Sequence, residues 1–141
     1  MTPDNLILKV ITKWLVPIIL LFAFYVQFHG DYSPGGGFQA GVIFSSAFLL
    51  YALVYGLDAT ARILPDEKLR IAACIGVLLY AGVGIAAMLK GGNFLDYSVL
   101  ADESVNGQHV GIILIELGVG ITVGSVMLLI FFTFARRIAP K

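Results

Sequence analysis

"IAACIGVLLYAGVGIAAML", residues 71–89, decides the fold. These nineteen residues include no charged side chain. As a helix rising 1.5 Å per residue they cover about 28 Å, close to the thickness of a bilayer's hydrocarbon core of about 30 Å. Three more runs are of spanning length and apolar with few charges: Leu6–Phe28, Phe38–Leu57 and Val110–Phe134. Composition agrees, with 59% hydrophobic and 13% charged residues over 141 positions. A water-soluble domain of that size needs more charge to cover its surface. The chain therefore reads as an all-α membrane protein. It is expected to form a single four-helix membrane domain over residues 1–141, with spans at 6–28, 38–57, 71–89 and 110–134.

Several function classes drop out. Formal net charge is zero, so there is no clustered basic face for nucleic acid. The lone Cys74 cannot form an internal disulfide and reads as a small buried apolar residue. No metal-ligand cluster, Ser/His/Asp triad or phosphate loop is recognisable, so the expectation is no enzyme, no metal and no cofactor. Thr2 and Pro3 offer an N-cap and a proline at the first helical position. Pro17 lies inside the first span, where a mild kink is expected. No small-x-small site follows that run, which argues against a cleaved signal peptide.

Basic residues set the expected orientation. Lys9, Lys13, Arg62, Lys68, Arg70, Arg136, Arg137 and Lys141 flank one side, and Lys90 alone lies on the other. Both termini are therefore expected to be cytoplasmic, in a prokaryotic cell membrane.

Small residues mark where helices approach closely in lipid. Gly37, Gly41 and Ser45 make a smooth stripe on the second helix. The third offers Ala72 and Gly76, then Gly82 and Ala86. The last carries Gly120 and Gly124 on one face, with Gly111, Gly118 and Ser125 on the other. Two smooth faces on one helix imply contact with its own bundle on one side and another protein on the other.

Only Glu116 lies well inside an apolar run. An acid near the membrane centre costs about 2.5–3.5 kcal/mol to insert, so it calls for a partner or a water-filled cavity. His109 precedes it by seven residues, on the same helical face and about 10 Å away. Glu116 is either a protonatable relay carboxylate with His109 at its outer mouth, or a structural carboxyl bonded to another helix or subunit. His109 on its own reads as an interfacial anchor.

The stretch "HGDYSPGGGFQAG", residues 29–41, separates the first two spans. Its letters fit a G-x-G-x-x-A nucleotide fingerprint, but no strand precedes it, which excludes that reading. Backbone geometry remains. Pro34 fixes its own φ, and Gly35, Gly36 and Gly37 permit positive φ and close approach of another backbone. The turn is expected to dock against a neighbour, with Phe38 as the large side chain that wedges into a partner. His29 and Asp31 read as solvated loop residues, or else as cation-attracting groups.

"HGDYSPGGGFQAGVIFSSAFLLYAL" resembles the N-terminal half of the B subunit of Mrp-type multisubunit sodium/proton antiporters, the MnhB/MrpB family. There a P-G-G-G-F turn opens the second membrane helix. "HVGIILIELGVGITVGSVMLLIFF" is similar to the last helix of that family, and Gln39-Ala40 is a departure from its pattern. The resemblance implies a small subunit supporting assembly, with a role in the ion path left open. Its partners would be the other subunits and the lipid bilayer, and the transported ions sodium and protons. Pro34, Gly35, Gly36, Gly37, Phe38 and Glu116 carry over as the matching positions. The same subunit type also occurs in complex-I-related redox complexes such as membrane-bound hydrogenases, the alternative host.

Overall fold

The computed structural model describes residues 3–30 and 35–138. All regular structure among them is helical: α1 (Pro3–Phe28), α2 (Gly37–Tyr55), α3 (Leu57–Ile63), α4 (Asp66–Leu89) and α5 (Ser104–Ile138), with a short 3₁₀ turn at Tyr97–Val99. Four of these, α1, α2, α4 and α5, are long and apolar enough to cross a membrane. They coincide with the four apolar runs. Large apolar side chains such as Trp14, Leu21, Leu53 and Leu78 point outward, as expected where lipid is the solvent. Cys74 joins them: expected to be buried, it lies exposed on α4, because in lipid an apolar residue need not face a core.

Local chemistry sets the helix ends. Pro3 opens α1, and the helix passes Pro17 without interruption to Phe28. Gly36 precedes α2 with φ of 134°, a conformation that glycine adopts readily. Gly56, at φ 96°, ends α2 two residues short of the expected Leu57. The stretch that follows was expected to be loop but contains α3. Thr60, fully buried, donates its hydroxyl hydrogen bond to the Gly56 carbonyl at 3.0 Å. Pro65 then caps α4, which starts five residues before the apolar run. After Leu89 the Gly92 N–H reaches back to the Ala87 carbonyl at 3.1 Å, with Gly91 at positive φ. This is the usual way to satisfy a helix's last carbonyls. The last helix begins at Ser104, six residues ahead of Val110. Hydropathy cannot register these extensions, because charged and polar residues continue a helix beyond the oil.

The helices pack in the order α1–α2–α5–α4. α5 lies between α2 and α4, parallel to α2 and antiparallel to α4, and α1 rests on the far side of α2. Gly41 of α2 faces Gly120 and Gly124 of α5, and Gly76 of α4 faces Gly118 and Thr122. Both smooth faces of α5 are thus engaged within the chain. The expectation that one of them meets another protein is corrected, because α5 is a middle helix and needs two such faces. Near the Tyr55 end, Ala52, Leu69, Leu128 and Phe132 form the buried core. Arg136 clasps Asp66 there with two hydrogen bonds, one at 3.0 Å. The Tyr55 hydroxyl ties α2 to the Lys9 carbonyl at 2.8 Å.

Candidate functional site

The glycine turn and Glu116 meet. α2 is 19 residues long and α5 is 35. The start of α2 therefore reaches α5 partway along, at Glu116, about 18 Å from the Ser104 end of α5. A Cβ added at Gly37 would overlap the Glu116 carbonyl, and one at Gly30 would overlap its carboxyl. A Cβ at Gly36 would stand 3.1 Å from Glu116 Oε1 and 3.6 Å from Gln39 Oε1. At Gly37 the obstacle is backbone and only hydrogen fits, whereas at Gly30 and Gly36 a Cβ would press on the end of the Glu116 side chain. The neighbour against which the turn was expected to dock is α5 of the same chain.

Electrostatics favours the same pairing. The Glu116 carboxyl lies beside Gly36, the residue that opens α2, at the positive end of that helix's dipole. A carboxylate there gains about 0.3–2 kcal/mol, depending on burial. That offsets part of the cost of placing an acid in the membrane. Glu116 is half-buried and engaged rather than free.

Two further oxygens stand one turn along α5. A Cβ at Gly120 would overlap Gln27 Oε1 and lie 3.3 Å from the Gly37 carbonyl oxygen. Sequence reasoning missed Gln27 and Gly30. The available signal was an amide near the Phe28 end of the first apolar run, followed closely by a glycine.

The remaining candidates fall around this recess. Gly35 packs against Val26, with 3.2 Å between its would-be Cβ and the Val26 carbonyl oxygen. Gly37 and Gly41 are both buried against α5. Phe38 projects outward and is 61% exposed. His109 lies about 10 Å from Glu116 toward the Ser104 end of α5, and Gly30 and Gly36 lie beside the Glu116 carboxyl. His29 stacks on Tyr25 with ring centroids 4.0 Å apart and shares a 2.9 Å hydrogen bond with the Tyr25 carbonyl. Asp31 and Pro34 lie outside the described residues. The loop between α4 and α5 also folds onto glycines: Phe94 covers Gly84, and Tyr97 covers Gly111. Burial, reinforced by nearby Tyr80, raises the Tyr97 phenol above its ordinary value of 10.0, so it remains protonated at neutral pH.

Residues 7–129 match a family described as "Domain related to MnhB subunit of Na+/H+ antiporter". The chain belongs to the MnhB family. Among its relatives is "Putative antiporter subunit mnhB2" of Staphylococcus aureus strain Newman, 37% identical over 138 residues, covering 96% of this chain and 97% of the relative. The proteins of the same name in strains COL and USA300 match equally, at 37% identity over the same shares of each chain. Membership of the MnhB family thus extends over the turn, all four long helices and Glu116.

Proposed function

We propose that the chain is a small, non-catalytic subunit of a multisubunit sodium/proton antiporter in the cell membrane, in which Glu116 clasps the glycine turn to α5. The relatives are antiporter subunits by name, which favours this host over a redox-driven complex. The observation that carries the clasp is the seating of Gly30, Gly36 and Gly37 on Glu116. An acid in that recess anchors the turn through the α2 dipole and leaves Phe38 facing outward to meet another subunit. The end of the molecule holding Lys9, α3 and Arg136 is cytoplasmic on this reading, since it gathers seven of the eight basic residues among those described.

Glu116→Gln and Glu116→Leu test the clasp in everted vesicles, with sodium-dependent dissipation of ΔpH measured beside the abundance of the assembled complex. Gln retains hydrogen bonding and shape and should keep most of the exchange and its pH dependence. Leu should lower complex abundance. Loss of exchange in a fully assembled Gln variant would instead identify Glu116 as a proton relay with His109.

A further inference from the structure

α4 and α5 meet backbone to backbone at Gly76 and Gly118. About 11 Å further toward the Ser104 end of α5, an aromatic ring rather than the facing helix lies nearest each glycine. Phe94 stands on Gly84 and Tyr97 on Gly111, and both rings belong to the connection between the two helices. That connection is held lightly. Among the described residues, the hydrogen bonds within 93–100 are local. The Asp96 N–H donates to the Asn93 carbonyl, the Leu100 N–H to the Tyr97 carbonyl, and Ser98 to the Asp96 carboxylate. One bond ties the segment to a helix end: the Lys90 ammonium donates to the Leu100 carbonyl at 2.8 Å. The segment is also strained. Leu95 is the third residue of the Asn93–Asp96 turn and takes φ of 64°, alone among the described non-glycine residues. Turns with positive φ there normally give the position to glycine, and such strain persists only where the surroundings impose it. Here the seating of Phe94 and Tyr97, on either side of Leu95, imposes it.

We propose that residues 91–101 form a releasable strap that clamps α5 against the glycine turn. Tyr97 presses on Gly111, and Glu116 meets the turn about 140° round the same helix. Strap and turn therefore grip α5 from nearly opposite sides. Gly91, at φ of 88° with nothing within 4 Å of a would-be Cβ, is the hinge. Opening relieves Leu95 and lifts both rings, and the Ser104 end of α5 then loses its backing. The consequence for the turn rests on the Glu116 clasp, whereas the opening of the strap does not.

Hydrogen exchange of the full chain in mild detergent, read by mass spectrometry on peptides, tests it. Leu95→Gly removes the strain, so amides of residues 94–101 should become about fivefold better protected. Leu95→Asn, which tolerates the same φ with a side chain in place, should act in the same direction. Lys90→Met removes the pin and should lower that protection about fivefold. Amides of residues 40–43, next to the turn, should follow the strap in each variant, while those of residues 10–20 stay at wild type. Unchanged protection of residues 94–101 in both Leu95 variants overturns the strap, as does a change spread equally over residues 10–20. A shift confined to residues 94–101 overturns the clamping of α5. Glu116→Leu reports on the clasp separately: it should loosen residues 40–43 and leave residues 94–101 at wild type, and silence at 40–43 would count against the clasp alone.

Discussion

Gly41 and Gly82 are both mid-helix glycines, and replacing each with alanine separates helix propensity from helix contact. Propensity favours alanine by about 1 kcal/mol at either site. A Cβ at Gly82 has nothing within 4 Å, so Gly82→Ala should retain that gain. A Cβ at Gly41 would stand 2.7 Å from the Gly120 carbonyl oxygen and 3.0 Å from both the Gly124 nitrogen and Val123 Cβ. Two of these atoms are backbone and cannot rotate away. Restoring ordinary contact parts α2 from α5 by about 0.7 Å, a gap that forfeits a quarter to a half of each atom–atom attraction. Overpacking of this kind costs about 1–3 kcal/mol, leaving Gly41→Ala roughly 1 kcal/mol below wild type after the propensity gain. The two variants should therefore differ by about 2 kcal/mol, or about 4–8 °C in Tm for a chain of this size. Thermal denaturation of the full chain in mild detergent, followed by size exclusion, measures the difference. Equal Tm values, or a Gly82→Ala loss as large as that of Gly41→Ala, would refute the close approach of α2 and α5.

Gly36→Val forces a branched side chain into φ of 134°, a strain of about 1–3 kcal/mol; native gels should show the subunit in the membrane but depleted from the large complex. With Cys74 replaced by alanine, a cysteine at Ser104 should react with an impermeant thiol reagent from outside the cell, and one at Arg62 should not. Labelling of the latter in intact cells would reverse the orientation. Asp66→Asn removes a partly exposed pair and should cost no more than about 1 kcal/mol by the same thermal assay.

The four spans were legible because an apolar run of membrane length with so few charges has almost no place in a water-soluble fold. The turn was legible as a docking element because Gly35, Gly36 and Gly37 forgo side chains where a span begins. Hydropathy carries no information on which helices touch, so the central place of α5 was not legible. Its second smooth face, which receives Gly76 and Tyr97, was misassigned for that reason. Periodicity along one helix places His109 on the face of Glu116 but carries nothing about other segments. The groups beside the Glu116 carboxyl come from the segments before and after the turn, and only tertiary structure brings Gly30 and Gly36 there.

The middle helix of the row is also the last to be synthesised. Until α5 emerges from the ribosome, Gly41 and Gly76 have nothing opposite them, and the turn has no Glu116 to rest on. α1 and α2 can pair early, through Phe24 against Phe44 and Tyr55 against Lys9, but α4 must wait beside them. Cooperative packing is therefore post-translational, although insertion of each span is not. A stop codon just before Gly118 would leave every earlier helix and Glu116 present, yet Gly41 and Gly76 would have nothing to close against.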